Sequence, residues 1–142
     1  MKVRDVMTMT VVEVAADDTC QHAARLMRDH GVGMLAVTRE GRIIEGVLTD
    51  RDLAVRCVAL GGDPSEQRVA DFMDHHPTTV DADTDLEGAV EIMRNSELRR
   101  LPVTVAGSHV IGVLSLDDVA VDMKHYLDSF LAVAGQYSRK HR

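Results

Sequence analysis

Residues 46–53 read Gly-Val-Leu-Thr-Asp-Arg-Asp-Leu, and residues 112–119 read Gly-Val-Leu-Ser-Leu-Asp-Asp-Val. The two stretches lie 66 positions apart, and the same shift aligns the chain onto itself without a gap from its first residues to its last third. Under this shift Val3-Arg4-Asp5-Val6-Met7 falls on Val69-Ala70-Asp71-Phe72-Met73. A gapless register of this length indicates an internal repeat, in which one supersecondary unit occurs twice.

Each repeat has the pattern of a β-α-β-β-α unit. A β-rich piece, 11–14 in the first repeat and 78–80 in the second, precedes a helix with an apolar stripe. A hairpin of two strands follows and turns near Gly41 in the first repeat. A second helix closes the unit. It is expected to begin near Asp50 in the first repeat, and its counterpart is expected to continue to about Ala134.

The first helix of the second repeat has a start signal in the sequence. Thr84-Asp85-Leu86-Glu87 has the form of a capping box, in which Thr84 and Glu87 would each bind the other's exposed amide. Asp18 and Gln21 hold the same places in the first repeat.

We expect an α/β (α+β) fold in which the two repeats pack around a pseudo-twofold axis through their sheets. A unit of about 55–60 residues buries too little surface to be stable alone, so the two should cover each other. The expected division is a first repeat at 1–62, a linker at 63–66 and a second repeat at 67–124. A helical extension with a basic tail would occupy 125–142.

Composition argues against nucleic-acid binding. Aromatic residues make up 3% of the chain and Trp is absent, which argues against an aromatic stacking platform for single strands. The formal net charge is −7, whereas binding to a duplex needs a basic excess. The basic cluster Arg139-Lys140-His141-Arg142 is interpreted as a solvated terminus.

The chain shows no sign of export, membrane insertion, metal binding or catalysis. Cys20 and Cys57 lack metal-ligand spacing and are interpreted as core residues in a reducing compartment. No apolar run approaches the roughly 18–20 residues of a membrane span, and we expect no secretory signal. His75-His76 has no accompanying carboxylate or thiol at a recognised spacing, and no catalytic triad can be assembled. We expect a cytoplasmic protein that is not an enzyme.

These motifs together resemble the CBS (cystathionine β-synthase) domain, and the doubled unit resembles a CBS pair, also called a Bateman module. The resemblance covers about residues 2–123 and rests on the repeated motif at 46–53, Leu-Met-Arg or Ile-Met-Arg in the first helix, and Leu101-Pro102-Val103. The chain is similar to the small stand-alone CBS-pair proteins of bacteria. The resemblance implies a regulatory protein that binds AMP, ADP, ATP or S-adenosylmethionine between its repeats, acts on an unidentified protein partner and requires no cofactor.

The junction of strand and second helix carries the candidate ligand chemistry. Thr49 and Ser115 stand where exposed amides and a hydroxyl could cradle a phosphate. Asp52 and Asp118, three positions later, could accept hydrogen bonds from both hydroxyls of a ribose. The same residues also suit a plain helix cap, and both interpretations can hold together.

The resemblance implies that each cleft is shared between the repeats. Thr49 and Asp52 would act with His76, Pro77, Thr78 and Arg100. Ser115 and Asp118 would act with Thr10, Val11, Val12 and Met34. Arg99 or Arg100 would reach the phosphates, unless both are surface charges, and the first repeat has only Gly33 and Met34 there. The two clefts are therefore expected to differ.

The extension after the second repeat has apolar residues at 127, 130, 131 and 134, which is a helical stripe. This stripe could close over its own module or pack on a second chain, and a homodimer is expected. An alternative to nucleotide sensing remains open, namely an interaction or dimerisation module whose clefts are vestigial.

Overall fold

The computed structural model describes residues 1–140, with side chains for residues 1–136. Its elements in chain order are α1 (Val3–Val6), β1 (Glu13–Val14), α2 (Cys20–His30), β2 (Met34–Arg39), β3 (Ile43–Thr49), a π-helix (Asp52–Val58), a 3-10 helix (Val69–Asp71), β4 (Val80–Asp81), α3 (Leu86–Ser96), β5 (Arg100–Val105), β6 (His109–Ser115) and α4 (Leu116–Lys140). The side chains of the expected basic tail at 139–142 lie outside the described residues.

The strands of both repeats form one six-stranded sheet in the order β1-β2-β3-β6-β5-β4. Within each repeat the short first strand runs parallel to the second, and the second and third form an antiparallel hairpin. Each hairpin shifts register at the same place, between Val37 and Thr38 and between Val103 and Thr104. The predicted fold class is confirmed.

A pseudo-twofold axis passes between the two hairpins. They meet through one residue pair, Ile43 with His109, and these two residues are counterparts under the 66-residue shift. The Ile44 amide donates to the Ser108 carbonyl at 2.9 Å, and the Val110 amide donates to the Arg42 carbonyl at 3.0 Å. Exchanging the repeats converts the first bond into the second.

The repeats exchange their leading segments. The Val3 amide donates to the Thr84 carbonyl and the Val69 amide to the Asp18 carbonyl, both at 2.9 Å. Val3 and Val6 are buried in the core of the second repeat, and the leading segment of the second repeat is buried in the core of the first in the same way. Each core is therefore completed by a piece of the other repeat.

Two apolar clusters, one for each repeat, stabilise the sheet and its helices. Their centres are strand residues without exposed surface, namely Leu35, Val37 and Leu48 in the first and Leu101, Val103 and Leu114 in the second. Burial of each such side chain contributes about 1.5–3 kcal/mol. The strand ends that carry the candidate site are thus held on a well-packed base.

The capping prediction is wrong for both first helices. Thr19, not Asp18, caps α2, and its Oγ1 accepts the His22 amide at 3.1 Å. Asp85 is the N-cap of α3 and makes no side-chain capping bond. Its carboxylate instead pairs with Lys2 Nζ at 3.0 Å. The exchanged leading segment of the first repeat therefore occupies the place where a capping box would form.

The second helices differ from each other. In the first repeat the helix after β3 adopts the π form over Asp52–Val58, a conformation that is rare and frequently found at functional sites. In the second repeat α4 runs unbroken from Leu116 to Lys140, beyond the expected end near Ala134, because no Pro interrupts it. Within residues 1–140, no helix combines the length and apolar character needed to cross a bilayer.

Candidate functional site

Two neighbouring cavities lie where the hairpins end and the second helices begin. Cleft A has a volume of about 380 Å³ and takes Thr49, Asp50, Arg51 and Asp52 from the first repeat, with Asp74, Pro77, Thr78, Leu98, Arg99 and Arg100 from the second. Cleft B has a volume of about 200 Å³ and takes Thr8, Thr10, Val12 and residues 31–34 from the first repeat, with Arg100, Val113, Ser115 and Asp118 from the second. Both cavities are shared between the repeats.

In cleft A the Thr49 hydroxyl and the Asp52 carboxylate form a reciprocal cap at the end of β3. Asp52 Oδ2 accepts from the amide and from Oγ1 of Thr49, each at 2.9 Å. Thr49 Oγ1 in turn accepts the Asp52 amide at 3.1 Å. Among the described residues, Oδ1 of Asp52 has no hydrogen-bond partner. The cap therefore uses one carboxylate oxygen and leaves the other able to accept a bond from a ligand.

In cleft B the equivalent residues are Ser115 and Asp118, but the Asp118 carboxylate makes different hydrogen bonds. The Asp118 amide donates to Ser115 Oγ at 3.0 Å, which caps α4. The Asp118 carboxylate is not held by Ser115, and its Oδ2 accepts a long bond of 3.4 Å from Thr8 Oγ1. The counterpart of Thr8 in the second repeat is Asp74, which lines cleft A. Cleft A therefore has a carboxylate where cleft B has a hydroxyl.

The two adjacent arginines are in different environments. The Arg99 guanidinium pairs with the Asp117 carboxylate at 3.2 Å, and both side chains are more than 70% exposed. Arg100 lines both clefts and has no ion-pair partner among the described residues. Arg51 also lines cleft A. Arg100 is thus the cation best placed to meet an anionic ligand.

Glycines position the segments that supply Thr8 and Asp74. A Cβ at Gly46 would lie 2.6 Å from the Asp74 carbonyl oxygen, and one at Gly112 would lie 2.8 Å from the Thr8 carbonyl oxygen. Only glycine allows the exchanged segments to cross the third strand of each repeat this closely. The repeated Gly-Val-Leu motif therefore brings the leading segments into the clefts.

The structure brings together most of the predicted ligand residues. Cleft A contains Thr49, Asp52, Pro77, Thr78, Arg99 and Arg100. Cleft B contains Thr10, Val12, Met34, Ser115 and Asp118.

His76 and Val11 lie outside both linings. The His76 amide binds Asp74 Oδ1 at 2.9 Å, and the His76 side chain is exposed. Val11 stands between Thr10 and Val12, which both line cleft B.

Several lining residues were not predicted from the sequence. Thr8 and Asp74 are repeat counterparts, as are Val113 and Val47, so the repeat alignment itself could have paired them across the two clefts. Gly33 lines both clefts, and a Cβ there would approach Asp50 Oδ2 to 3.0 Å.

The buried thiols do not serve these clefts. Cys20 and Cys57 lie together in the core of the first repeat. Burial, with Cys57 beside it, raises the pKa of the Cys20 thiol to about 12, so it stays protonated at neutral pH. Cys57 Sγ donates to Gln67 Oε1 at 2.9 Å. Among the described residues, no group of three or more His, Cys, Asp or Glu side chains is arranged to hold a metal ion.

Comparison with known proteins gives one consistent result. A family model described as the CBS domain matches residues 3–58 and 69–124. The chain is 37% identical over 120 residues to the CBS domain-containing protein YhcV of Bacillus subtilis, with 84% of each chain covered.

Two solved structures are also similar. The crystal structure of Hypoxic Response Protein I with two coordinated zinc ions has a TM-score of 0.77 at 28% identity, covering 84% of this chain and 97% of that one. The cytosolic domain of the Mg²⁺ channel MgtE in complex with ATP has a TM-score of 0.74 at 28% identity. That match covers 84% of this chain and 47% of the other.

Proposed function

The chain belongs to the CBS domain family and carries two CBS domains, and we propose that it is a regulatory module that binds an adenine nucleotide or S-adenosylmethionine. Ligand binding in clefts A and B would control an unidentified protein partner, and the module itself would catalyse no reaction. The candidate nucleotides are AMP, ADP and ATP.

The arrangement at Asp52 supports this proposal most strongly. Its Oδ1 is available beside a hydroxyl and a helix start, and Arg100 stands in the same cavity. A carboxylate oxygen can accept from a ribose diol, while the guanidinium and the exposed helix amides can bind phosphate. Cleft A, at about 380 Å³, falls in the size range of small-molecule sites. The MgtE domain solved with ATP lends support from a related structure.

Removing the carboxylates tests the proposal. Asp52→Ala and Asp118→Ala should each weaken adenine-nucleotide binding in one cleft, by roughly tenfold to a hundredfold, because each removes a charged acceptor for the ribose. Calorimetric titration with AMP, ADP, ATP and S-adenosylmethionine measures this. Asp17→Ala is the matched control, since Asp17 is exposed and lies outside both clefts.

Wild-type affinity in both single variants and in the double variant would remove the ribose role. The cap at Thr49 and Ser115 would then be the whole function of these residues. The alternative of vestigial clefts would instead be supported by a wild type that binds none of the four ligands.

We also propose that α4 pairs with α4 of a second copy. Val119, near the start of the helix, is buried in the second core, and the same face continues with exposed Met123, Leu127 and Phe130. One apolar face thus runs from the core out along the helix beyond the module. A second copy can cover it as an antiparallel partner.

Charge favours that antiparallel arrangement. Positions 117, 118, 122 and 128 of α4 are Asp, and no acidic residue follows them. An antiparallel pair therefore separates the acidic halves of the two helices, whereas a parallel pair sets like charges side by side.

A further inference from the structure

We propose that a single guanidinium, that of Arg100, serves both clefts, so that a phosphate-bearing ligand in one cleft weakens the binding of a second phosphate-bearing ligand in the other. This inference rests on the proposed function, and it specifies which pairs of ligands the module can hold at once.

Three residues at the border between the clefts support this inference. Gly33, Met34 and Arg100 each line both cavities. Met34 and Arg100 are repeat counterparts at the first residue of β2 and β5, where they pair with Thr49 and Ser115 respectively. A symmetric module would present two arginines at this border or none. This one presents an arginine and a methionine.

The charges around cleft B make it depend on Arg100. Among the residues that line cleft B, Arg100 is the one cation and Asp118 the one carboxylate. No other charged side chain in the lining can replace the guanidinium once a ligand in cleft A has engaged it. The remaining Asp118 carboxylate then repels phosphate but still accepts from a ribose.

Cleft A is less dependent on Arg100, because Arg51 also belongs to its lining. Arg99 is already paired with Asp117 at 3.2 Å on the exposed side. The first polyphosphate should therefore occupy cleft A and engage Arg100. Cleft B would then accept an adenosine compound without phosphates. The module would hold one ATP tightly, with a neutral nucleoside beside it.

Stepwise titration with ATP and with adenosine tests this inference. In the wild type the first ATP should bind at least about tenfold more tightly than the second, since one charge-assisted contact is available for two ligands. Arg100→Ala should weaken the first ATP step by about tenfold or more and leave the second step almost unchanged. Both adenosine steps should change by less than about twofold, since adenosine brings no phosphate to the guanidinium.

Met34→Arg provides the complementary test. It gives the border a second guanidinium at the counterpart position and should tighten the second ATP step by about tenfold. Met34→Leu is the matched control and should leave that step unchanged.

Equal weakening of both ATP steps by Arg100→Ala would mean that each ligand has its own contact, and it would overturn the sharing. An unchanged second step in Met34→Arg would overturn it as well, and either result leaves nucleotide binding intact. If neither ATP nor adenosine produced binding heat with the wild type, the proposed function would be refuted, and this inference with it.

Discussion

Gly31 and Glu97 hold the same backbone position in the two repeats, at the left-handed residue that ends α2 and α3. Their φ angles are 65° and 57°. Glycine adopts this conformation without strain, whereas a residue with a Cβ loses roughly 1–2 kcal/mol there. The second repeat thus keeps the fold of the first at a local cost in conformational free energy at Glu97.

This difference gives a stability prediction. Glu97→Gly should raise the free energy of unfolding by about 1 kcal/mol, and Gly31→Ala should lower it by a similar amount. A Cβ at Gly31 would meet no atom within 4 Å, so the loss would come from backbone conformation alone. Thermal unfolding should show shifts of about 2–4 °C in opposite directions. Shifts of the same sign in the two variants would contradict the conformational explanation.

At the residue scale, the sequence located the hydroxyl and carboxylate positions but could not separate the arginines. Thr49, Asp52, Ser115 and Asp118 follow from a motif that occurs twice, and the structure brings all four to the clefts. Arg99 and Arg100 are neighbours, and their difference depends on the contact of Arg99 with Asp117, 18 positions away. No local pattern encodes that contact.

At the scale of elements, α4 is the feature that most directly links one copy to another. Asp118, in its first turn, lines cleft B, and its exposed apolar face begins within two turns of Asp118. A ligand that binds Asp118 therefore contacts the same helix that we propose as the dimer interface.

Disrupting the apolar face should separate the copies. Light scattering at micromolar concentration should give the wild type about twice the 15.6 kDa chain mass. Leu127→Glu with Phe130→Glu should shift it to the monomer mass, because two charges would lie in a face that must be desolvated. His125→Glu adds a charge off the stripe and should remain dimeric. A monomeric wild type, or a double variant as dimeric as the wild type, would count against the interface.

The sequence patterns predicted the helices and strands, but they did not predict which distant residues bind the ends of these elements. The capping box at Thr84 was a local inference, whereas Asp85 binds Lys2, 83 positions away. The exchange of leading segments is of the same kind, because its hydrogen bonds join residues far apart in the chain. Repeat alignment shows that two segments are equivalent. It does not show that each packs on the other repeat.

At the scale of the whole molecule, the backbone is nearly symmetric and the clefts are not. The paired bonds at Ile44 and Val110 show the symmetry. Asp74 opposite Thr8, and Arg100 opposite Met34, show where the side chains depart from it. Shared packing thus holds two clefts of one backbone design whose linings carry different charges.

A crystal structure of the protein grown with saturating ATP would locate the nucleotide directly. We expect nucleotide density in cleft A, with the ribose hydroxyls within hydrogen-bond distance of the Asp52 carboxylate and the phosphates against Arg100. Empty clefts A and B at saturating ATP, or nucleotide bound only elsewhere on the molecule, would contradict it.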